Sequence, residues 1–206
     1  MPATRASLPI GYRLVVGAST PFMLWSRIRV TGTEDLPTHG PTLLVANHDS
    51  NWDPVAIAYA ARHRRQLRAL AKAELWKNPL VAKVLDNMGQ IPIERGRNNM
   101  AAMAKAEQVL RDGGCIGVFP EGTRSRGKVL KARSGAGRLV RAVPDTVIVC
   151  ARVTGTAGPV WRPGGTRVAV HFFRPAGGQR KPDEPSAALM IRLLAEIRAE
   201  APPVGH

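Results

Sequence analysis

His48 and Asp53 stand with four residues between them in the polar stretch NHDSNWD, residues 47–53. Apolar runs precede and follow this stretch, and a turn between two buried elements requires neither a histidine nor so many polar groups. Four intervening residues allow a turn to bring the carboxylate to one imidazole nitrogen. The carboxylate would fix the tautomer and stabilise the imidazolium that forms when the other nitrogen takes a proton. The pair is therefore a candidate general base with its orienting partner, and Asn47 is a candidate support for the turn through hydrogen bonds to backbone groups.

Asp53 alone also has a purely structural interpretation. It precedes Pro54, and an aspartate cap followed by proline at the first helical position is a common way to begin a helix. That interpretation explains Asp53 but leaves His48 without a role. The occurrence of both residues at this spacing favours the chemical interpretation.

A second polar cluster has the composition of an anion-binding loop. In FPEGTRSRG, residues 119–127, Gly122 permits close backbone approach, Thr123 supplies a hydroxyl donor and Arg124 can bind a phosphate through two hydrogen bonds. Glu121 only accepts hydrogen bonds when ionised, so it either holds an arginine in place or accepts from a substrate hydroxyl. The loop therefore predicts binding of a phosphate-bearing molecule.

A third cluster adds a further arginine. Arg95 and Arg97 follow the apolar run of GQIPIERGR, residues 89–97. A solvated basic rim is the alternative, and it accounts for Arg97 and Arg126 better than for Arg95 and Arg124, which lie directly at the ends of predicted strands. Arg95 and Arg124 are therefore the candidate phosphate ligands.

These clusters need a scaffold that brings them together, and the chain predicts one by alternating short β-like runs with helical patterns. The predicted strands are IRVTG, TLLVAN, QLRALAK, GQIPIER, CIGVFP, TVIVCARVTG and TRVAVHFF. The predicted helices are PVAIAYAARHRR, ELWKNPLVAKVLDNM with an interruption at Pro79, NNMAAMAKAEQVLRDG, GAGRLVRAV and SAALMIRLLAEIRAEA. The alternation predicts a single α/β domain with a mostly parallel, mixed sheet flanked by helices. The three clusters follow predicted strands, and ligands of such folds bind at the carboxyl ends of strands.

Composition narrows the function classes. The 206 residues suit one domain, and 44% apolar residues exclude a largely disordered chain. A net charge of +15 predicts an anionic partner, either nucleic acid, acidic phospholipid or a phosphorylated substrate. The aromatic content of 5% leaves few platforms for stacking nucleic-acid bases. Cys115 and Cys150 lie in β-like runs without metal-binding spacing, so we predict buried free thiols.

The N-terminal stretch 8–25, LPIGYRLVVGASTPFMLW, is mostly apolar. It is short for a membrane-spanning helix, and Pro21 is expected to break or kink it. A helix that packs on the core is one interpretation. We favour a broken apolar helix in the membrane interface, which divides the chain into an interfacial segment, 1–29, and a domain, 30–206.

Three motifs in this order resemble the glycerolipid acyltransferases, the family of the 1-acylglycerol-3-phosphate acyltransferases. NHDSNWD matches the family's His-x4-Asp box, and GQIPIER resembles its second box. FPEGTRS matches the third box at every residue. The fourth box is usually an apolar run with a proline, and VIVCARVTG has Cys150 at about that position, so this box is partial. The resemblance covers about residues 30–155.

The resemblance implies transfer of a fatty acyl group from a thioester to the free hydroxyl of a lysophospholipid, without a metal and without an acyl-enzyme. It makes His48 the base and Asp53 its partner. It assigns acceptor binding to Arg95, Glu121, Gly122, Thr123, Arg124 and Lys72. The thioester is already activated, so no cofactor is expected, and either acyl-CoA or an acyl carrier protein is the donor. The oxyanion donors are expected among the backbone amides near the first box.

The implied substrates also predict the location of the protein. An acyl chain and a lysolipid come from a bilayer, so we expect a monotopic protein at the cytoplasmic face, attracted to anionic lipid by its basic residues. Another lysophospholipid or a glycolipid hydroxyl is the alternative acceptor. A non-catalytic lipid-binding protein and a basic nucleic-acid-binding protein are the rivals from other classes, although the basic residues are spread along the chain and no nucleic-acid recognition motif is present.

Overall fold

The computed structural model describes residues 8–94, 99–126, 128–157 and 167–200. Helices and strands alternate along these residues, as the sequence predicts. The helices are α1 (Ile10–Trp25), α2 (Asp53–Ala61), α3 (Pro79–Asn87), α4 (Met100–Arg111), α5 (Gly135–Ala142) and α6 (Ser186–Ala199). The strands are β1 (Arg29–Thr31), β2 (Thr42–Ala46), β3 (Arg68–Lys72), β4 (Ile91–Ile93), β5 (Cys115–Val118), β6 (Val147–Thr154) and β7 (Ala169–Phe173).

Within the described residues, the seven strands form one sheet in the order β1-β7-β6-β2-β5-β3-β4. Every neighbouring pair is parallel except β6 and β7, which are antiparallel. The sheet is therefore mixed and mostly parallel, and the predicted fold class is confirmed. Because β6, β2 and β5 are parallel neighbours, the loops that follow them leave the same edge of the sheet.

Two apolar cores lie on the two faces of this sheet, and β2 contributes to both. Leu43 and Val45 pack with apolar residues of α4, α5 and α6, whereas Leu44 and Ala46 pack with those of α1 and α2. Successive side chains of a strand point to opposite faces, which is why alternate residues reach different helices. All five residues of β2 are buried, as expected of a central parallel strand covered on both sides.

The predicted interruption at Pro79 divides the segment into two elements. A short 3-10 helix covers Ala73–Lys77, and α3 then begins at Pro79. The Asn78 side chain accepts hydrogen bonds from the N–H groups of Leu80 and Val81, at 3.0 and 3.3 Å. The asparagine cap and the proline at the first helical position together set the start of α3.

The N-terminal segment forms a continuous helix that runs through Pro21, so the predicted break is wrong. Pro21 and the residue four positions earlier, Gly17, are both exposed, so the carbonyl that proline leaves without its helical partner lies at the outer side. The inner side packs onto the domain: Tyr12 and Met23 are fully buried, and the Tyr12 hydroxyl donates to the Ala58 carbonyl of α2 at 3.1 Å.

The outer side of α1 is apolar and exposed. It presents Ile10, Leu14, Leu24 and Trp25, each more than half exposed. The helix thus combines a face packed on the core with an exposed apolar face. The boundary between an interfacial segment and a domain stays a prediction. No helix among the described residues is long and apolar enough to cross a membrane.

The two cysteines are free and buried, as predicted. Burial raises the pKa of each thiol, that of Cys115 to about 12 and that of Cys150 to about 12. Both thiols are therefore uncharged at neutral pH, and buried uncharged thiols behave as small apolar side chains.

Candidate active site

The carboxyl ends of β2, β5 and β6 place three segments next to one another. His48 follows β2, Glu121 follows β5 and Thr156 follows β6. The sequence predicts the first two clusters at this edge, and the structure brings them into direct contact. Arg95, the third predicted contribution, lies outside the described residues.

His48 and Asp53 form the predicted pair. His48 Nδ1 lies 3.0 Å from Asp53 Oδ2, and the aspartate side chain is fully buried whereas that of His48 is 12% exposed. Since Oδ2 is a hydrogen-bond acceptor, Nδ1 carries the proton and Nε2 is left as the nitrogen that can accept one. The His48 ring stacks on Phe119, with ring centroids 4.3 Å apart. The geometry is that of a histidine held by a carboxylate and a ring, with one nitrogen available as a base.

The Asp53 carboxylate shapes the turn that carries His48. Oδ2 also accepts the backbone N–H groups of Asp49 and Ser50, at 2.6 and 2.7 Å, and Oδ1 accepts from the Thr156 hydroxyl. Asp53 is the first residue of α2 and forms no capping bond to that helix. The cap interpretation of Asp53 is therefore wrong, because the carboxylate is used by the preceding turn and by the histidine.

Asn47 ties the start of the turn to β6. Its side-chain amide donates to the Val153 carbonyl at 2.8 Å and accepts from the Val153 N–H at 2.7 Å, while it also donates to Asp49 Oδ2 at 2.8 Å. Asn47 is fully buried, so these bonds satisfy a polar group that has no access to water. The first box is thus attached to a strand more than 100 positions away in the sequence.

Three consecutive backbone amides of the first box already have hydrogen-bond partners. The N–H of His48 donates to Glu121 Oε2 at 2.5 Å, and those of Asp49 and Ser50 donate to Asp53. These three groups are therefore taken by carboxylates and are not available to an oxyanion. The expectation that amides of this stretch stabilise the oxyanion is wrong for residues 48–50.

Glu121 lies beneath the site instead of facing a ligand. It is 3% exposed, and besides the His48 amide it accepts from Arg198 at Oε1. Of the two roles that the sequence leaves open, holding an arginine fits these contacts. Each Glu121 oxygen already accepts one hydrogen bond from the protein, and the acceptor-binding role implied by the resemblance stays a prediction.

Arg198 also binds the carboxylate next to His48. Its Nη1 and Nη2 lie 2.9 and 2.8 Å from the two oxygens of Asp49. Burial opposes the charge of Asp49, but the hydrogen bonds from Arg198, Ser125 and Asn47 outweigh it and lower the pKa of that carboxyl below its ordinary value. Burial raises the pKa of Glu121 despite the opposing effect of Arg198.

Gly122 has a backbone conformation that favours glycine. Its φ is +66°, and a Cβ at this position would lie 2.5 Å from Arg133 Nε. The Arg133 side chain therefore lies directly over the third box. Its backbone N–H also donates to the Pro120 carbonyl at 2.8 Å, which fixes this part of the chain against the loop.

A cavity of about 1400 Å³ opens beside His48. Its wall is largely apolar and includes Leu75, Leu80, Val84, Met88, Met103 and Leu139. Among the described residues, four lysine and arginine side chains also line it: Lys72, Arg124, Arg133 and Arg138. Lys72 pairs with Glu74 at 3.0 Å, whereas no carboxylate of the described residues pairs with Arg124 or Arg133. Thr123 is exposed and is not part of this wall.

Sequence reasoning missed several residues of the site. Phe119, Thr156 and Arg198 contact the His48–Asp53 turn, and Arg133 lies over Gly122. Thr156 and Arg198 are separated from their partners by 103 and 149 positions, so no local pattern indicates them. Phe119 is the first residue of the third box and Arg133 follows that box by eight positions, and this closeness is a signal that could have found them. Among the described residues, no group of three potential ligands could hold a metal ion.

Comparison with known proteins independently supports the resemblance to acyltransferases. A family model described as Acyltransferase matches residues 27–154. The 1-acyl-sn-glycerol-3-phosphate acyltransferase of Borreliella burgdorferi is 40% identical over 103 residues, which are 49% of this chain and 40% of that protein. The chloroplastic enzyme of that name from Arabidopsis thaliana is 26% identical over 156 residues, 70% of this chain and 43% of that protein. The chain therefore matches about two fifths of the length of these relatives.

A solved structure shares the fold. The crystal structure of the 1-acyl-sn-glycerophosphate (LPA) acyltransferase PlsC from Thermotoga maritima aligns with a TM-score of 0.67 and 22% sequence identity. The alignment covers 91% of this chain and 78% of that chain. It thus extends over the sheet and the helices on both of its faces.

Proposed function

The chain belongs to the acyltransferase family, and on this premise we propose that it transfers a fatty acyl group from an acyl thioester to the free hydroxyl of 1-acylglycerol-3-phosphate, forming phosphatidic acid. The observation that carries the proposal is the His48–Asp53 pair beside a large apolar cavity, in whose wall lie arginines that no carboxylate of the described residues pairs with. The names of the relatives supply the acceptor.

The chemistry begins at His48 Nε2. This nitrogen accepts the proton of the acceptor hydroxyl as the oxygen attacks the thioester carbonyl carbon, and the Asp53 carboxylate stabilises the resulting imidazolium. The tetrahedral intermediate then collapses with cleavage of the C–S bond, and the thiolate takes the proton from the imidazolium. An ester and a free thiol are formed, and the histidine returns to its starting state. The acyl group passes directly to the acceptor, without an acyl-enzyme on Ser50 or on either cysteine.

The phosphate of the acceptor would bind at the cationic part of the cavity wall. Arg124 and Arg133 can each form charge-assisted hydrogen bonds with phosphate oxygens, since no carboxylate of the described residues pairs with them. Lys72 adds a positive charge that is partly offset by its ion pair with Glu74. The apolar wall would take the acyl chains, because burying a chain away from water is favoured by about 0.8 kcal/mol per CH₂. Acyl-CoA and an acyl carrier protein remain alternative donors, and no cofactor is required by this chemistry.

The test is an acceptor panel. Purified protein is incubated with acyl-CoA and either lysophosphatidic acid, other lysophospholipids or a glycolipid, and the products are read by mass spectrometry. We expect phosphatidic acid as the main product. His48→Ala should lower kcat by at least ~10² because it removes the base. Preference for a phosphate-free acceptor would replace the assignment by the glycolipid alternative, and a folded protein that binds lipid without turnover would support the non-catalytic alternative.

We also propose that the exposed side of α1 contacts an anionic membrane surface at the cytoplasmic face. Ile10, Leu14, Leu24 and Trp25 would insert at the interface, and the net charge of +15 would add attraction to anionic lipid. Deleting α1 would uncover the core around Tyr12 and Met23, so point substitutions are the better test.

The matched variants are Leu14→Gln with Leu24→Gln on α1, and Ile191→Gln on α6, where Ile191 is 49% exposed. The α1 variant should bind anionic vesicles more weakly, whereas the α6 variant should bind like the unmodified protein. Raising salt should weaken binding only partly, since apolar insertion is not screened. Equal binding of both variants in a co-sedimentation assay would exclude α1 as the contact.

A further inference from the structure

The last turn of α6 reaches the back of the catalytic turn through one side chain. Arg198 binds both oxygens of Asp49 and one oxygen of Glu121. Its side chain is 32% exposed, whereas those of Asp49 and Glu121 are 19% and 1% exposed. Arg198 lies beyond residues 27–154, the segment that the family model matches, so this contact adds a residue from outside that segment to the site.

The two carboxylates that Arg198 holds both contact the backbone around His48. Glu121 accepts the N–H of His48 itself at 2.5 Å. Asp49 is the next residue, and its own N–H donates to Asp53, the partner of the imidazole. Ser125 forms two further hydrogen bonds to this turn: its N–H donates to the His48 carbonyl at 2.7 Å, and its hydroxyl donates to Asp49.

From these contacts we infer that Arg198 is a positioning residue for the proposed acyl transfer: it holds Asp49 and Glu121 together so that the turn keeps His48 against Asp53. Two carboxylates this close repel each other, and a guanidinium can bind both at once through its planar set of donors. Removal of Arg198 would leave two like charges beside His48 with no cation between them. The turn would relax, and the His48–Asp53 bond would lengthen or lose its alignment.

Arg152 of β6 is the other cation near this cluster. It lies close enough to influence the charges of Asp49, Glu121 and Arg198, and burial lowers its own pKa. Its Nε and Nη1 have no hydrogen-bond partner among the described residues. Arg152 therefore does not replace the contacts that Arg198 forms, although it tempers the repulsion between the two carboxylates.

A purely structural role is the rival explanation, in which Arg198 only fixes α6 to the sheet. Arg192 supplies the matched control because it lies on the same helix and also binds two carboxylates. Its Nε and Nη2 lie 2.8 and 3.0 Å from Glu184, and its Nη1 lies 3.1 Å from Glu196. Neither of these carboxylates contacts the turn that carries His48, so loss of Arg192 tests the structural cost alone.

The experiment compares Arg198→Met, Arg198→Lys and Arg192→Met in the full chain. For Arg198→Met we expect kcat to fall about 10- to 100-fold with a small change in KM, because displacement of a catalytic group by about 1 Å costs this much. Arg198→Lys should fall between this variant and the unmodified protein, since a lysine cannot bind two carboxylates in the same fork. Arg192→Met should lower Tm by a similar amount and leave kcat nearly unchanged.

A second readout does not depend on turnover. In a protein with ¹⁵N-labelled histidine, the proton that His48 Nδ1 shares with Asp53 gives a downfield NMR signal, assigned by its loss in His48→Gln. Both Arg198 variants should shift or broaden this signal, and Arg192→Met should not. If Arg198→Met does not fold, Arg198→Lys decides the question. Full kcat together with an unchanged signal in a folded Arg198 variant would overturn the inference.

The inference rests on the proposed function, but the two fail in different ways. Absence of acyl transfer by the unmodified protein would refute the proposed function, whereas the NMR signal would still report whether Arg198 positions His48. Normal acyl transfer by the Arg198 variants, with a normal signal, would refute the positioning role and leave the proposed function intact.

Discussion

Replacement of Asp53 by asparagine separates the charge of the aspartate from the shape that it gives the turn. An asparagine can place its carbonyl oxygen where Oδ2 lies and keep the three N–H donors of His48, Asp49 and Ser50. Its amino group would then face Thr156, whose hydroxyl can rotate to accept instead of donate. The buried turn is preserved, and only the negative charge is lost.

The expected loss of activity follows from the distance. His48 Nδ1 and Asp53 Oδ2 are 3.0 Å apart. Both charges are delocalised, so their centres lie further apart than these two atoms, and opposite charges about 4 Å apart attract by about 4 kcal/mol at an effective dielectric constant near 20. A neutral amide retains about 1 kcal/mol as a hydrogen bond, so the imidazolium loses about 3 kcal/mol of stabilisation. This corresponds to a decrease of about 10² in kcat, with little change in KM.

Alanine at the same position should behave differently. It would leave the amides of Asp49 and Ser50 and the hydroxyl of Thr156 without an acceptor, at about 1–3 kcal/mol each. The total approaches the whole stability of an ordinary domain, which is about 5–15 kcal/mol, so Asp53→Ala should be largely unfolded. Circular dichroism and thermal unfolding check this, and steady-state acyl transfer measures the asparagine variant. A folded Asp53→Asn protein with kcat close to that of the unmodified protein would refute the electrostatic role.

The other predictions concern the arginines of the cavity wall, Gly122 and Asp49. Arg124→Gln and Arg133→Gln should each lower kcat/KM for a phosphate-bearing acceptor by the equivalent of about 1.5–3 kcal/mol. With a phosphate-free acceptor these variants should change little, and the control variant Arg141→Gln should change little with either acceptor. Equal losses with both acceptors would contradict phosphate binding. Gly122→Ala should cost about 1–3 kcal/mol in unfolding free energy because φ is +66° and the new methyl group must displace Arg133, and an unchanged Tm would contradict this. The pKa of Asp49 is lowered by folding, so its contribution to stability is present above the ordinary value of 3.8 and is lost as the pH falls through and below it. Asp49→Asn should therefore flatten the acid limb of a plot of unfolding free energy against pH, and an unchanged limb would exclude Asp49 as its source.

The sequence predicts the order of the helices and strands because apolar runs of the right length are bounded by glycine, proline and polar residues. It predicts the closeness of His48 and Asp53 for a similar reason, since one turn spans the four residues between them. It does not predict that α1 continues through Pro21, because this depends on where the free carbonyl faces and on the packing of Tyr12 and Met23. Local propensity is overridden there by contacts with α2 and α3.

The parts of the site that the sequence does not predict depend on the strand order. Thr156 reaches Asp53 because β6 pairs with β2, although β6 begins about 100 positions later in the chain. Glu121 has two roles compatible with its chemistry, and only its burial and its contact with Arg198 favour one of them. Side-chain chemistry thus identifies candidates, whereas long-range packing determines which atoms are available to a ligand.

The central position of β2 has a consequence for the synthesis of the chain. β2 is made early, at residues 42–46, but its two neighbours are residues 115–118 and 147–151. At roughly 5–20 residues per second, this apolar strand waits between about 5 and 20 s until the partner of its second edge has been made. Such a segment can pair with other chains, and long-range parallel pairing is intrinsically slow. Production of this protein should therefore depend on protection of the nascent chain, for example by a chaperone that binds apolar segments until β6 has left the ribosome.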